Sequence, residues 1–179
     1  MTGHLSLFNV TVQSPDLSAF LRSAGGIRNE NPGGVNVNAT RSRLYAAQDI
    51  GHASVPVVTA VDYLEAYSSA GGIWLWNERS LVTGYVSDDV EGVSSGGAAA
   101  SATIGMTVEG RLTIDENIST NGSITLTTVD TAATGEDVVV LPGSLVQSNQ
   151  RGIILRAGDD ISIPAGATVA SYTGGAAGL

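Results

Sequence analysis

The chain has 179 residues, among them 23 glycines and no cysteine, with 14% charged residues and a formal net charge of −9 at pH 7. An acidic surface disfavours nucleic acid as a partner, and no apolar run approaches the ~18 residues of a membrane-crossing helix. Without cysteine there is no disulfide framework and no thiolate metal site. Low charge with many small and β-branched residues favours repeated strands over helices or disorder.

Residues 1–22 predict an N-terminal strand or cap segment. Leu5 and Leu7 alternate with polar neighbours, as in a strand with one buried face. From Asp16 to Gly26 two interpretations stay open. A short helix would have Asp16 as its N-cap and end at Gly25, whereas the repeat pattern places residues 17–21 on a strand. We favour the strand.

Pairs of small residues followed by an apolar alternation recur over residues 23–175. The second small residue of each pair is Gly26, Gly72, Gly97, Gly122, Gly152 or Gly175, which gives spacings of 46, 25, 25, 30 and 23 residues. A further unit beginning near Ser42 would divide the longest gap. Solenoid repeats commonly span roughly 20 to 45 residues, so the pattern predicts repeats of about 20 to 30 residues.

The segment from Gln150 to Ser171 is the clearest unit. Three short apolar alternations are separated by turn residues at 158–160 and 164–166. Each alternation is too short to form a sheet alone, but it could pair with the same run of a neighbouring copy, as in a β-solenoid. The residues that we expect to point into one elongated core are Ile124, Leu126, Ile153, Leu155, Ile161, Ile163 and Val169.

The segment from Val58 to Tyr67 fits two patterns. Val58, Val61 and Leu64 have helical spacing, and Thr59 or Asp62 could cap a helix. The residues from Tyr63 onward also alternate, and the segment leads into Gly71 and Gly72 at the distance that a repeat requires. We therefore predict strand.

Three stretches, Gly122–Leu126, Gly152–Ile163 and Ala165–Val169, resemble the repeats of filamentous-haemagglutinin-type bacterial surface proteins. Arg43–Gly51 is similar to one element of the same repeat. The resemblance covers most of residues 23–175. It implies an all-β, single-stranded parallel β-helix, right-handed and with irregular corner loops, in a large secreted or cell-surface protein.

That resemblance implies a structural or adhesive rod at the bacterial cell surface, outside the cell. Residues 1–6 show no secretion signal, so we expect the chain to be cut from a longer protein, with residues 176–179 as a tail. The rival interpretation is a complete small cytoplasmic protein.

The acidic pairs do not predict catalysis. Adjacent residues on a strand point to opposite faces, so a pair does not by itself supply the two convergent carboxylates of a glycosidase. All four pairs lie beside turn residues, where acids are ordinary turn formers. His4 and His52 are far apart in sequence. We expect no enzyme, no cofactor and no metal site, and weak calcium binding at the acidic corners stays open. The pairs are 88–89, 115–116, 136–137 and 159–160.

Six of the nine aromatic residues lie between Tyr45 and Tyr85. Strand parity turns five of them outward: Tyr45, Tyr63, Tyr67, Trp74 and Trp76. We predict that they form a contiguous strip that contacts another chain, above all a second copy. One alternative is a carbohydrate-binding or carbohydrate-active β-helix that uses the same wall, for which Glu65 and Glu78 are the only nearby acids. Another is that a loop or the segment from Asp16 to Gly26 covers the rings.

Overall fold

The computed structural model describes residues 3–8, 10, 11, 18–31, 33–87 and 90–172. These residues form strands and no helix, so none of the described chain could cross a membrane as a helix. Every pairing between two of these strands is parallel. The predicted all-β parallel solenoid is confirmed as an architecture of stacked coils, while its handedness stays a prediction.

One wall of the solenoid, the first wall, is built from the strand that opens each coil. Its strands are β1 (Leu5–Leu7), β2 (Val10–Thr11), β4 (Ile27–Asn29), β5 (Val37–Asn38), β7 (Val57–Ala60), β9 (Ile73–Asn77), β12 (Ile104–Val108), β15 (Ile124–Thr128) and β18 (Ile153–Arg156). An aliphatic column on this wall marks the start of seven coils. Its members are Leu5, Ile27, Ile50, Ile73, Ile104, Ile124 and Ile153.

The second wall is continuous in the first three coils. There it consists of β3 (Ser18–Ser23), β6 (Arg41–Ala46) and β8 (Tyr63–Ser68), paired in register. The first half of β8 then pairs with β10 (Leu81–Thr83), and its second half pairs with β11 (Val93–Ser95). We call this division the fork, because beyond it the second wall runs as two separate ribbons.

Each ribbon continues for three more coils. One ribbon adds β13 (Leu112–Ile114), β16 (Val138–Val140) and β19 (Ile161–Ser162) to β10. The other adds β14 (Ile118–Thr120), β17 (Leu145–Ser148) and β20 (Thr168–Ser171) to β11. The solenoid thus has two walls in its first three coils and three walls afterwards.

The core lies between the walls and is made of the inward residue of each alternation. Ile124 and Leu126 are fully buried, as predicted. The other predicted core residues occupy equivalent columns but lie in the last coil, where no further described coil covers them. Ile153, Leu155 and Val169 are half-buried against the core, and Ile161 and Ile163 are each 46% exposed.

Two of the predicted unit boundaries are wrong. Gly97 does not open a coil, because residues 96–103 form a corner insertion and the fourth coil ends just before Ile104. Ser42 lies inside β6, and the boundary that divides the long gap is at Ile50. The first-wall column, rather than the glycine pair, sets each boundary, and coils range from 20 residues (Ile104 to Ile124) to 31 residues (Ile73 to Ile104).

Both ambiguous segments are strands where they are described. Ser18–Ser23 forms β3, which confirms the preferred interpretation, while residues 12–17 lie outside the described residues. The segment from Val58 to Tyr67 contributes to β7 and β8, with a corner at Val61. Residues 5–22, predicted as a strand or cap segment, carry strands that pair in register with the second coil. The predicted tail, 176–179, is outside the described residues.

An inward column of hydroxyl groups lies at the corner where the second wall returns to the first. It consists of Ser23, Ala46, Ser68, Ser95, Thr120, Ser148 and Ser171. Ser68 shows the pattern. Its Oγ donates to the Gln48 carbonyl of the preceding coil at 2.7 Å and accepts the N–H of Gly71 at 3.0 Å. These hydroxyls satisfy backbone groups that a tight corner would otherwise leave unpaired. We call this set the hydroxyl column.

Candidate functional site: outward aromatic side chains

Tyr45 and Tyr67 form a stacked pair on the outer side of the second wall. They lie directly opposite each other on β6 and β8, and their ring centroids are 5.1 Å apart at an interplanar angle of 32°. The Arg22 guanidinium carbon lies 4.9 Å from the Tyr45 centroid on the next strand, within the range of a cation–π contact. Register alone brings these side chains together, because residues at one position of parallel coils lie about 4.8 Å apart.

A groove runs beside this pair along the solenoid axis. It has a volume of about 520 Å³, and its polar lining comes from the outward side of the following coils and from a corner loop. The lining residues are Tyr45, Tyr67, Val90, Glu91, Ser94, Asn117 and Ser119. Two aromatic rings, hydroxyls, an amide and a carboxylate therefore share one open channel.

Tyr63 lies on the same strand but in a separate cluster. The Arg41 guanidinium carbon is 5.3 Å from its centroid, and Tyr85 meets it edge-to-face at 6.0 Å. Tyr85 has a φ of 59°, which is rare for a side chain of this size. Its N–H donates to Glu116 Oε1 at 3.3 Å. The Asp115 carboxylate, by its hydrogen bond first and its charge second, raises the pKa of the Tyr85 hydroxyl above the ordinary 10.0.

Glu65 is fully buried at the fork although its position in the alternation is an outward one. Its Oε1 accepts the N–H groups of Val86 and Ser87, both at 2.8 Å, and its Oε2 accepts the Ser87 hydroxyl at 2.6 Å. Glu116 accepts the Gly92 N–H at the far end of the same loop at 2.6 Å. Two carboxylates therefore hold the corner loop 84–92 against the wall.

Sequence reasoning placed Glu65 only as an acid near the aromatic residues. Its burial depends on the fork, which the alternation pattern of β8 does not reveal. The segment that covers it comes from the next coil, about 20 residues later along the chain. No signal in the residues around Glu65 distinguishes it from a solvated wall acid. The predicted neighbour Glu78, in contrast, is exposed.

Trp74 and Trp76 lie on the first wall, on strand β9. A side chain at Gly72 would collide with the Trp74 indole, and a Cβ at Gly105 would lie 3.1 Å from it. The indole therefore lies across two glycines, close to the wall. Trp76 donates its indole N–H to Glu109 at 3.0 Å. Both indoles are half-buried, and they line a groove of about 330 Å³ with Ala53 and several first-wall residues.

The five predicted site residues are all half-buried and face outward, as their parity predicts. The prediction of one contiguous strip is wrong, because the tyrosines lie on the second wall and the tryptophans on the first. Corners displace the two sets, since each coil turns between its walls. Residues 18–23 do not cover the rings; they form the neighbouring strand and supply Arg22. Near Trp74, the His52 ring lies 5.9 Å away.

The acidic pairs that the structure describes act in the corners. Asp137 forms an ion pair with Arg111 at 2.8 Å. Asp159 accepts the backbone N–H of Gly135 at 2.7 Å from the preceding coil. Glu116 fixes the loop 84–92, and Asp88 and Asp89 lie outside the described residues. Within the described ranges, no three acids or histidines are grouped as metal ligands would be.

The two histidines, distant in sequence, line one cavity of about 280 Å³ beside the first wall. His4 Nδ1 accepts the Gly26 N–H at 3.0 Å, and His52 Nδ1 accepts the Ser54 N–H at 3.3 Å. The first-wall insertion at residues 51–56 brings His52 to this cavity. Sequence spacing gave no signal of this juxtaposition, because it depends on the register of three coils.

These clusters leave the family of the chain to be judged by comparison. No protein-family model, curated protein or solved structure matches this chain. The likeness to filamentous-haemagglutinin-type repeats therefore rests on the residues quoted above and stays a prediction.

Proposed function

We propose that the chain is a structural or adhesive rod segment of a large bacterial cell-surface or secreted protein, which acts by lateral association of its walls. The observation that carries this proposal is the tryptophan pair on the first wall. Trp74 and Trp76 lie on an outer surface whose neighbouring positions are Gly105, Thr107 and Thr125. Aromatic rings on an exposed wall are typical of a surface that a partner covers.

The geometry of the first wall suits a flat partner. Gly72 and Gly105 let the Trp74 indole lie down, so its outer ring face is available without a pocket. The threonines beside it contribute hydroxyls and methyl groups but no charge. Burying two indoles contributes a large share of an interface's energy, which favours a protein partner, and a second copy offers the same surface.

The experiment compares two double variants by light scattering across a concentration series. Trp74→Ser with Trp76→Ser should lower the average mass of the associated protein and leave the far-ultraviolet spectrum unchanged. The matched control, Tyr45→Ser with Tyr67→Ser, removes the stacked pair of the other wall and should leave the mass unchanged. Unchanged association in the tryptophan variant, or its loss in the tyrosine variant, overturns the assignment to the first wall.

A second candidate function, glycan binding, is favoured by the groove beside Tyr45 and Tyr67. Aromatic rings next to hydroxyl and amide groups suit a sugar chain that lies along the axis. A glycan array with the tyrosine double variant as its control tests this candidate. Binding that survives the loss of both rings contradicts it.

We propose binding rather than cleavage at this groove. Glu65 is occupied by three donors from the loop 84–92, and Glu91 is the carboxylate that lines the channel. An inverting or retaining glycosidase needs two carboxyl groups about 5 to 10 Å apart with different environments. Release of reducing ends or unsaturated products above a heat-treated control is the result that would overturn this view.

A further inference from the structure

The last coil leaves core positions uncovered. Ile161 pairs with Val138, which is fully buried, yet Ile161 itself is 46% exposed, and so is Ile163. Val169 pairs with the buried Val146 and is only half-buried. These side chains occupy core columns, so their exposure comes from their place at the end of the described coils.

The first coil has the matching columns at the opposite end. Leu5 heads the first-wall column that ends at Ile153. Leu21 heads a second-wall column that ends at Val169, and both leucines are half-buried. A first coil placed against a last coil would therefore continue both columns with aliphatic residues.

Charge is distributed unevenly along the same axis. Residues 1–46 contain four arginines and two acids, a formal charge of +2, whereas residues 47–179 contain four arginines and fifteen acids, a formal charge of −11. Opposite charge at the two ends favours encounters between the head of one copy and the tail of another. An antiparallel side-by-side pair would also satisfy the charges, but it would leave Ile161 and Ile163 in water.

We propose that copies of this chain associate head to tail, with the last coil of one copy paired in parallel register with the first coil of the next. The contact joins two different surfaces, and its operation is a translation along the solenoid axis. Such a contact does not close, so it produces open filaments rather than dimers. It is independent of the lateral contact proposed above, which uses the walls.

The register of the contact can be tested by cross-linking. Ser6 follows Leu5 on the outer face of the first coil, and Ile154 follows Ile153 on the outer face of the last. In a continued stack these positions would be neighbours at about 4.8 Å, within the Cα separation of roughly 4.4 to 6.8 Å that a disulfide needs. The chain has no cysteine of its own, so each introduced thiol can be identified.

The variant Ser6→Cys with Ile154→Cys should give a ladder of linear multimers under mild oxidation, with position 6 of one copy joined to position 154 of another. Each single variant should stop at dimers. The matched control, Ser6→Cys with Thr127→Cys, places the second thiol on the outer face of an inner coil and should give no ladder. Both changes in the test variant are at exposed positions, so the fold should persist.

Three results would overturn the proposal. The double variant could stay monomeric, position 154 could link to itself as readily as to position 6, or the control could give an equal ladder. Adding Trp74→Ser and Trp76→Ser to the test variant separates the two contacts. The ladder should persist in that background if the ends carry the association, and its disappearance would assign the cross-links to the walls.

Discussion

At the scale of single residues, inward polar side chains define the corner as much as aliphatic ones define the core. Thr120 accepts the Gly122 N–H at 3.0 Å and donates to the carbonyl of Ala102, repeating the pattern of Ser68 one column position later. Ser148 does the same with Arg151 and Gly122. A search for alternating apolar residues passes over these positions, although they recur in six of the seven coils.

Replacing one hydroxyl should therefore cost stability without touching the apolar core. Ser68→Ala leaves the buried Gly71 N–H and the Gln48 carbonyl short of a partner. We expect the free energy of unfolding to fall by about 1–3 kcal/mol. Urea denaturation measures it, with Ser119→Ala, an outward serine of the same wall, as the control. Equal losses in the two variants would contradict a specific role for the hydroxyl column.

Tyr85 gives a prediction about pH. The Asp115 carboxylate raises the pKa of its hydroxyl above 10.0, first through the hydrogen bond and then through charge. The stabilisation is therefore complete below the unfolded-state value of 10.0 and is lost as the pH rises through the higher folded-state value. Ultraviolet titration of tyrosinate should show one late-ionising group that Asp115→Asn returns toward 10.0. A titration curve unaffected by Asp115→Asn would contradict the assignment.

At the scale of elements, the fork in the second wall is the main departure from a regular solenoid. Strand β8 serves two successors, and the chain between them, 84–92, must leave the wall and return. Gly84, with φ at 116°, and Tyr85 make the exit turn. A buried carboxylate at the vertex supplies the acceptors that the loop's N–H groups need.

Neutralising that carboxylate should loosen the loop. In Glu65→Gln the side chain keeps its size but replaces a charged acceptor facing three donors with an amide. Hydrogen bonds to charged groups contribute roughly 1.5–3 kcal/mol, so amide exchange at Val86 and Ser87 should accelerate about tenfold or more. The control is Glu91→Gln, which changes an exposed acid of the same loop. Unchanged exchange at both amides would show that other contacts hold the loop.

The fold was largely predictable because its dominant signal is local. Runs such as Ile124–Thr128 and Ile153–Arg156 carry their inward residues at every second position, and identical runs pair with each other. The site was less predictable because it depends on relations between coils. Parity correctly turned Tyr67 and Trp74 outward, but which wall each occupies depends on corners whose length varies. The burial of Glu65 depends on a loop from the next coil.

At the scale of the whole molecule, position along the axis decides what an equivalent residue contributes. Each coil contacts only its neighbours, so an inner coil is covered on both sides and a terminal coil on one. Ile124 and Ile153 occupy the same column and face the same core. The first is fully buried, and the second is half-buried.

The same substitution should therefore have unequal effects in the two coils. Ile124→Asp buries an unpaired charge and should reduce the free energy of unfolding by about 4 kcal/mol or more. Ile153→Asp can place its charge at the open end and should cost less than half as much. Thermal unfolding followed by circular dichroism compares them, with the outward Thr125→Asp as a control. Equal destabilisation by the two isoleucine variants would contradict the gradient.

The variation in coil length has a practical consequence. The chain returns to the same first-wall column after 20 residues in one coil and 31 in another, so the extra residues of a corner are not transmitted to the next coil. The exposed corner segment 131–134 is one such place. Foreign peptides grafted there should be displayed on an unchanged scaffold, and grafts in successive coils would stand at intervals set by the spacing of strands.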